Sequence, residues 1–120
     1  MAEASGLNID IDSSAVKGGS RIVLSGYLDA DTSNTLSEKF TELLTKKTVK
    51  MVVDLKGVTF VSSAGWGILI RLSKDAQKAG GGIVLYNMSP KVERIYRLLD
   101  LSPVLPVYGS EVEALKHFEK

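Results

Sequence analysis

The sequence predicts an α/β fold: a single domain over residues 1–120, with a mixed β-sheet of about four to five strands and about four helices packed on it, in the order β-β-α-β-α-β-α-β-α. Three observations predict it. The chain has 120 residues, enough for one hydrophobic core and too few for two independent ones. Apolar residues recur alternately with strand-like and helix-like periods. Residues able to cap a helix stand where the helical patterns begin, and glycine or proline stands at the breaks.

Leu7-Asn8-Ile9-Asp10-Ile11-Asp12 alternates apolar and polar residues, and Arg21-Ile22-Val23-Leu24-Ser25 follows a loop holding Gly18-Gly19. Two opening strands, paired as a hairpin, are expected. Asp31 or Thr32 can cap a first helix whose Leu36, Phe40, Leu43 and Leu44 share one face, with Thr35 and Glu38 at capping-box spacing and an end near Lys46-Lys47. Residues 50–55 form a nearly continuous apolar run, which suits a central strand covered on both faces. After a turn come Ser62-Ser63, and then Ile68, Leu69, Leu72, Ala76 and Ala79 predict a second helix over about 64–79, stopped by Gly80-Gly81-Gly82.

Ile83-Val84-Leu85-Tyr86 reads as the next strand, and Ser89-Pro90 as a capping serine with proline at the first helical position. The third helix it opens should bury Val92, Ile95, Tyr96 and Leu99. Pro103 and Pro106 bracket a short extended segment ending at Val107-Tyr108, after which Ser110 and Glu113 open a last helix facing inward through Val112, Leu115 and Phe118. The ordered core is expected over about 7–118, with flexibility before Leu7 and at Gly18-Gly19.

Composition removes several classes of function. With 44% hydrophobic and 24% charged residues and only strand-length apolar runs, the chain reads as a soluble globular protein without a transmembrane span or direct membrane insertion. The first six residues carry no signal-peptide pattern, so a cytoplasmic location is expected. There are no cysteines, which removes disulfides, thiol chemistry and Cys-based metal sites. A net charge of +1 gives no electrostatic reason to expect nucleic acid, and Lys46-Lys47 with Lys50 suits a helix end.

Enzymatic readings fare poorly as well. His117 is the one histidine, reads as a solvated residue of the last helix, and leaves no general base for a nucleophilic serine. Ser62-Ser63-Ala64-Gly65 lacks the Gly-x-Ser-x-Gly elbow, and neither Gly65-Trp66-Gly67 nor Gly80-Gly81-Gly82 fits a phosphate-cradling loop. The pairs Asp10 with Asp12 and Asp29 with Asp31 are explained more simply by strand alternation and helix capping than by a metal. No enzyme, cofactor or metal is expected.

The informative segment is Ser62-Ser63-Ala64-Gly65-Trp66-Gly67 at the start of the second helix. From local chemistry alone, both serines are most simply caps that satisfy free amide donors. Yet two serines exceed what one cap needs, and small Ala64, Gly65 and Gly67 leave the hydroxyls approachable. Glycine in a helix also costs about 1 kcal/mol relative to alanine. A phosphate on such a serine would meet the positive end of the helix dipole. Trp66 falls with Ile70 and Lys74 off the Leu69-Leu72 stripe, where it would either anchor an interface or cover a neighbouring loop.

Residues 51–67, followed by Leu69, Lys78-Ala79-Gly80-Gly81, Val84-Leu85 and Ser89-Pro90-Lys91-Val92, resemble the STAS domain of bacterial anti-sigma factor antagonists. Gly26-Tyr27-Leu28-Asp29 is similar to that family's Gly-x-Leu-Asp segment, so the likeness runs from about Leu7 to Phe118. The resemblance implies a single STAS-like domain that acts by partner switching. Unphosphorylated, it would bind an anti-sigma factor serine kinase of the GHKL type and so release the sigma factor; phosphorylated, it would let go until a phosphoserine phosphatase restores it. The family pattern puts the phosphate on Ser63, with Ser62 second and standing where an aspartate is usual. It also sets Asp29 near the kinase or its nucleotide-bound metal, and the expected partner face takes in Asp29, Ser62, Ser63, Ala64, Gly65, Trp66, Gly67 and Ile70. The simplest case is a monomer. The other reading is a STAS-like accessory subunit of a lipid or anion transport system, with the serines as mere caps.

Overall fold

The computed structural model describes residues 6–14 and 16–119, and these carry the predicted nine elements in the predicted order. They are β1 (Leu7–Asp12), β2 (Gly19–Leu28), α1 (Ala30–Thr45), β3 (Lys50–Val61), α2 (Ser63–Lys78), β4 (Gly82–Tyr86), α3 (Pro90–Leu98), β5 (Val107–Tyr108) and α4 (Glu111–Lys116). The five strands form one sheet in the order β1-β2-β3-β4-β5. β1 runs antiparallel to β2, as the hairpin reading expects, and the other neighbours are parallel. The expectation for the segment before Leu7 lies, apart from Gly6, outside the described residues.

Side chains alternate across the central strands, so each strand feeds two cores. Met51, Val53 and Leu55 of β3 with Ile83 and Leu85 of β4 face Leu36 and Phe40 of α1, Leu69 and Leu72 of α2, and Val92 and Tyr96 of α3. Val52, Val84 and Tyr86 face the other way, toward Ala114 and Leu115 of α4. That double coverage is why residues 50–55 read as a nearly continuous apolar run.

Four local expectations are corrected. The turn expected after residue 55 is absent, because β3 continues to Val61 through two register shifts against β2. Gly57 permits the first: a Cβ there would stand 2.6 Å from the Cβ of Ser25. On α3, Ile95 and Leu99 are 40% and 51% exposed, because only Val92 and Tyr96 reach the sheet side. On α4, Val112 is 62% exposed and Ala114 is the buried residue. The cap of α1 is Asp29 rather than Asp31 or Thr32, and Thr35 with Glu38 plays no capping part.

The consequence for the site lies in one pairing. Leu28, the last residue of β2, stands opposite Val61, the last residue of β3. The connections to α1 and α2 therefore leave side by side from the carboxyl end of the parallel strands, where open α/β sheets present their binding groups.

Candidate functional site

Two helix mouths meet at that end of the sheet. At α1, Asp29 is in extended conformation and its Oδ1 accepts from the amides of Asp31 at 3.0 Å and Thr32 at 2.9 Å. The Thr32 hydroxyl in turn accepts from the Asp29 amide at 2.9 Å, closing a capping box. The amide of Thr32, foremost, holds the Asp29 carboxyl below the usual carboxylate range. At α2, Ser62 is the cap, with its Oγ accepting from the Gly65 amide at 3.1 Å and its own amide donating to the Leu28 carbonyl at 2.8 Å.

The two serines thus differ. Ser62 is half-buried and occupied, whereas Ser63 is exposed and its hydroxyl makes no hydrogen bond among the described residues. Ala64 and Gly67 beside it are exposed too, and a Cβ built on Gly67 would meet nothing within 4 Å. Gly65 is small for another reason. A Cβ there would lie 2.9 Å from the Cβ of Leu28 and 2.9 Å from Cγ1 of Val61, so its absence lets α2 sit against the strand ends.

Trp66 corrects an expectation. Helical spacing set it off the Leu69-Leu72 stripe, facing a partner or a loop; in the structure it is 3% exposed and belongs to the main core. The reason is tertiary: α3 covers that side of α2, bringing the Tyr96 ring to 6.1 Å from the indole. Tyr96 is itself tied down by a 2.5 Å bond from its hydroxyl to the Leu105 carbonyl. Ile70, one turn beyond Trp66, is half-buried against the same core. Of the expected partner face, then, Ser63, Ala64 and Gly67 are exposed, Asp29 and Ser62 are half-buried, and Gly65 and Trp66 lie beneath.

His117 is also placed differently from the expectation of a solvated residue. It is half-buried on the α4 side, its Nδ1 2.8 Å from the Tyr108 hydroxyl, across the sheet from the serines. Of the acidic pairs, Asp12 receives Ser14 and Arg21, and Asp29 is the α1 cap.

Residues 11–114 match the STAS domain. The chain belongs to the STAS domain family. Over 114 residues it is 28% identical to the anti-sigma F factor antagonist of Paenibacillus polymyxa, covering 94% of this chain and 97% of that one. An anti-sigma factor antagonist from Mycobacterium paratuberculosis shares the fold with a TM-score of 0.80 at 22% identity, with 100% of each chain covered. SpoIIAA of Bacillus, solved unphosphorylated and phosphorylated, shares it with TM-scores of 0.75 and 0.69 at 20% and 18% identity. The unphosphorylated alignment covers 92% of this chain and 95% of SpoIIAA, and the phosphorylated one 92% and 98%.

The sequence reading missed one surface of this STAS domain. Phe60 at the end of β3 is 50% exposed and stands beside α3 across a groove of about 240 Å³. Its signal was available: residues 95–99 hold four apolar side chains within about one and a half turns, a stripe too wide for one buried face.

Proposed function

We propose that this STAS domain is a non-catalytic anti-sigma factor antagonist whose binding is switched by phosphorylation of Ser63. Unphosphorylated, it binds an anti-sigma factor serine kinase of the GHKL type, which then releases its sigma factor. The kinase moves the γ-phosphoryl group of ATP to the Ser63 Oγ, leaving ADP, and the modified chain dissociates; a phosphoserine phosphatase resets it. The cycle belongs to the cytoplasm, and no helix among the described residues is long and apolar enough to cross a membrane.

The observation that carries this reading is the division of labour between the serines. Ser62 closes the helix, so Ser63 can be modified without unmaking a cap. A phosphate adds roughly 1.5 to 2 negative charges at a helix N-terminus, where the dipole and free amides favour it. Stability is therefore preserved while the exposed patch of Ser63, Ala64 and Gly67 acquires bulk and a charge that a partner must desolvate. The names of the relatives support the antagonist class.

The test is intact-mass analysis after incubation with ATP and the anti-sigma factor kinase of the same organism. One phosphate should enter the wild type and none should enter Ser63→Ala, while Ser62→Ala still accepts it. Phosphate persisting in Ser63→Ala would sink the assignment.

A further inference from the structure

The α3 helix carries more apolar surface than the core uses. Val92 and Tyr96 are buried, but Ile95, Leu98 and Leu99 remain 40%, 74% and 51% exposed. Ile95 also forms one side of the groove whose other walls are Phe60, Val61, Trp66 and Val92. Thr59, Lys91 and Arg94 complete the lining, and neither of the two cations makes a salt bridge among the described residues. The next cation on the helix, Arg97, is taken up by Glu93.

From this combination we infer that the groove between the end of β3 and α3 seats an amphipathic helix of the anti-sigma partner, its apolar side chains in the groove and its acidic residues on Lys91 and Arg94. The inference rests on the antagonist reading above and names the chemistry of the partner it calls for. Two observations select that occupant. An apolar trough lined by uncompensated cations complements a helix with apolar anchors at i, i+3 or i+4 and carboxylates beside them. The groove is also continuous with the serine patch, since Val61 directly precedes Ser62 and Trp66 lies one turn after it. One partner can therefore cover both.

The experiment is a titration of the intact domain with the purified anti-sigma factor kinase of the same organism. Trp66 is the sole tryptophan of the chain and forms part of the groove wall, so its emission adds a local readout to calorimetry. Wild type should bind, with a change in the Trp66 signal. Ile95→Asp, and separately the pair Lys91→Glu with Arg94→Glu, should raise the Kd by about tenfold or more. The exposed charge pair guards against misfolding, with circular dichroism to match wild type.

If wild type binds and both variants bind within about twofold of it, the groove is overturned and the antagonist reading stands. No binding by wild type overturns both. If the variants instead lose self-association in sedimentation, or lose binding to anionic phospholipid vesicles, with kinase affinity unchanged, the groove belongs to a second copy or a membrane and the inference falls.

Discussion

The mouths of α1 and α2 lie side by side at the end of the sheet and are built on opposite principles. At α1 the cap is a carboxylate, and Thr32 at the third helical position reciprocates, so the box is closed from both sides. At α2 the cap is a hydroxyl, and the third position is Gly65, which has no side chain to return the bond. Ser63 at the first position contributes no hydrogen bond through its hydroxyl among the described residues. One mouth is spent on holding its helix; the other keeps a polar group idle on the surface. In a protein, a reactive group that stability does not use is free to be used otherwise.

The largest effect should come from testing why α2 is so lightly built. Gly65 and Gly67 look alike in sequence, yet only Gly65 is hemmed in, with Leu28 and Val61 atoms 2.9 Å from where a Cβ would stand. Gly65→Ala should destabilise the domain by about 1–3 kcal/mol through overpacking at the strand ends. Gly67→Ala should instead stabilise it by up to about 1 kcal/mol, the ordinary gain of alanine in an open helical position. Urea denaturation with an unchanged m-value separates the two, and equal effects would break the distinction.

The next effect down contrasts the adjacent serines. Ser62→Ala removes the cap and should cost about 1 kcal/mol. Ser63→Ala removes nothing that the fold uses and should stay within about 0.5 kcal/mol of wild type. Melting curves of the two variants suffice, and a Ser63→Ala loss matching that of Ser62→Ala would mean that both hydroxyls serve the helix.

This comparison also marks how far the sequence could be read. Periodicity and capping residues located all nine elements, because strand alternation, the Ser89-Pro90 start and the Gly80-Gly81 stop are local chemistry. Local chemistry was equally enough to single out Ser62-Ser63-Ala64-Gly65. What it could not supply was coverage. Spacing tells which residues share a helix face, and it leaves open which faces another element covers. Trp66 was therefore set outside although α3 buries it, while Ile95 and Leu99 were set inside although nothing among the described residues covers them fully. The second half of β3 was missed because its pairing depends on register shifts against β2, a relation between distant segments. Gly65 shows both limits: its smallness was legible, but its cause, the nearness of Leu28, was not.

The smallest effect sharpens the comparison through pH, because only the α1 mouth has a titratable cap. The amide of Thr32, first among its neighbours, favours the charged form of Asp29 and depresses its folded-state pKa below the ordinary 3.8. A depressed carboxylate adds stability that is present above its unfolded pKa and disappears as pH falls through the folded value. Asn at position 29 keeps an acceptor for the same amides but carries no charge. Asp29→Asn should accordingly lower the urea midpoint at neutral pH, and the gap to wild type should close once the pH drops below the usual aspartate range. Ser62→Asn at the neighbouring mouth should show a gap that does not move with pH in that window. A constant gap for Asp29→Asn would mean that the Asp29 charge contributes nothing to closing the α1 box, and the two mouths would then differ only in how many hydrogen bonds they make.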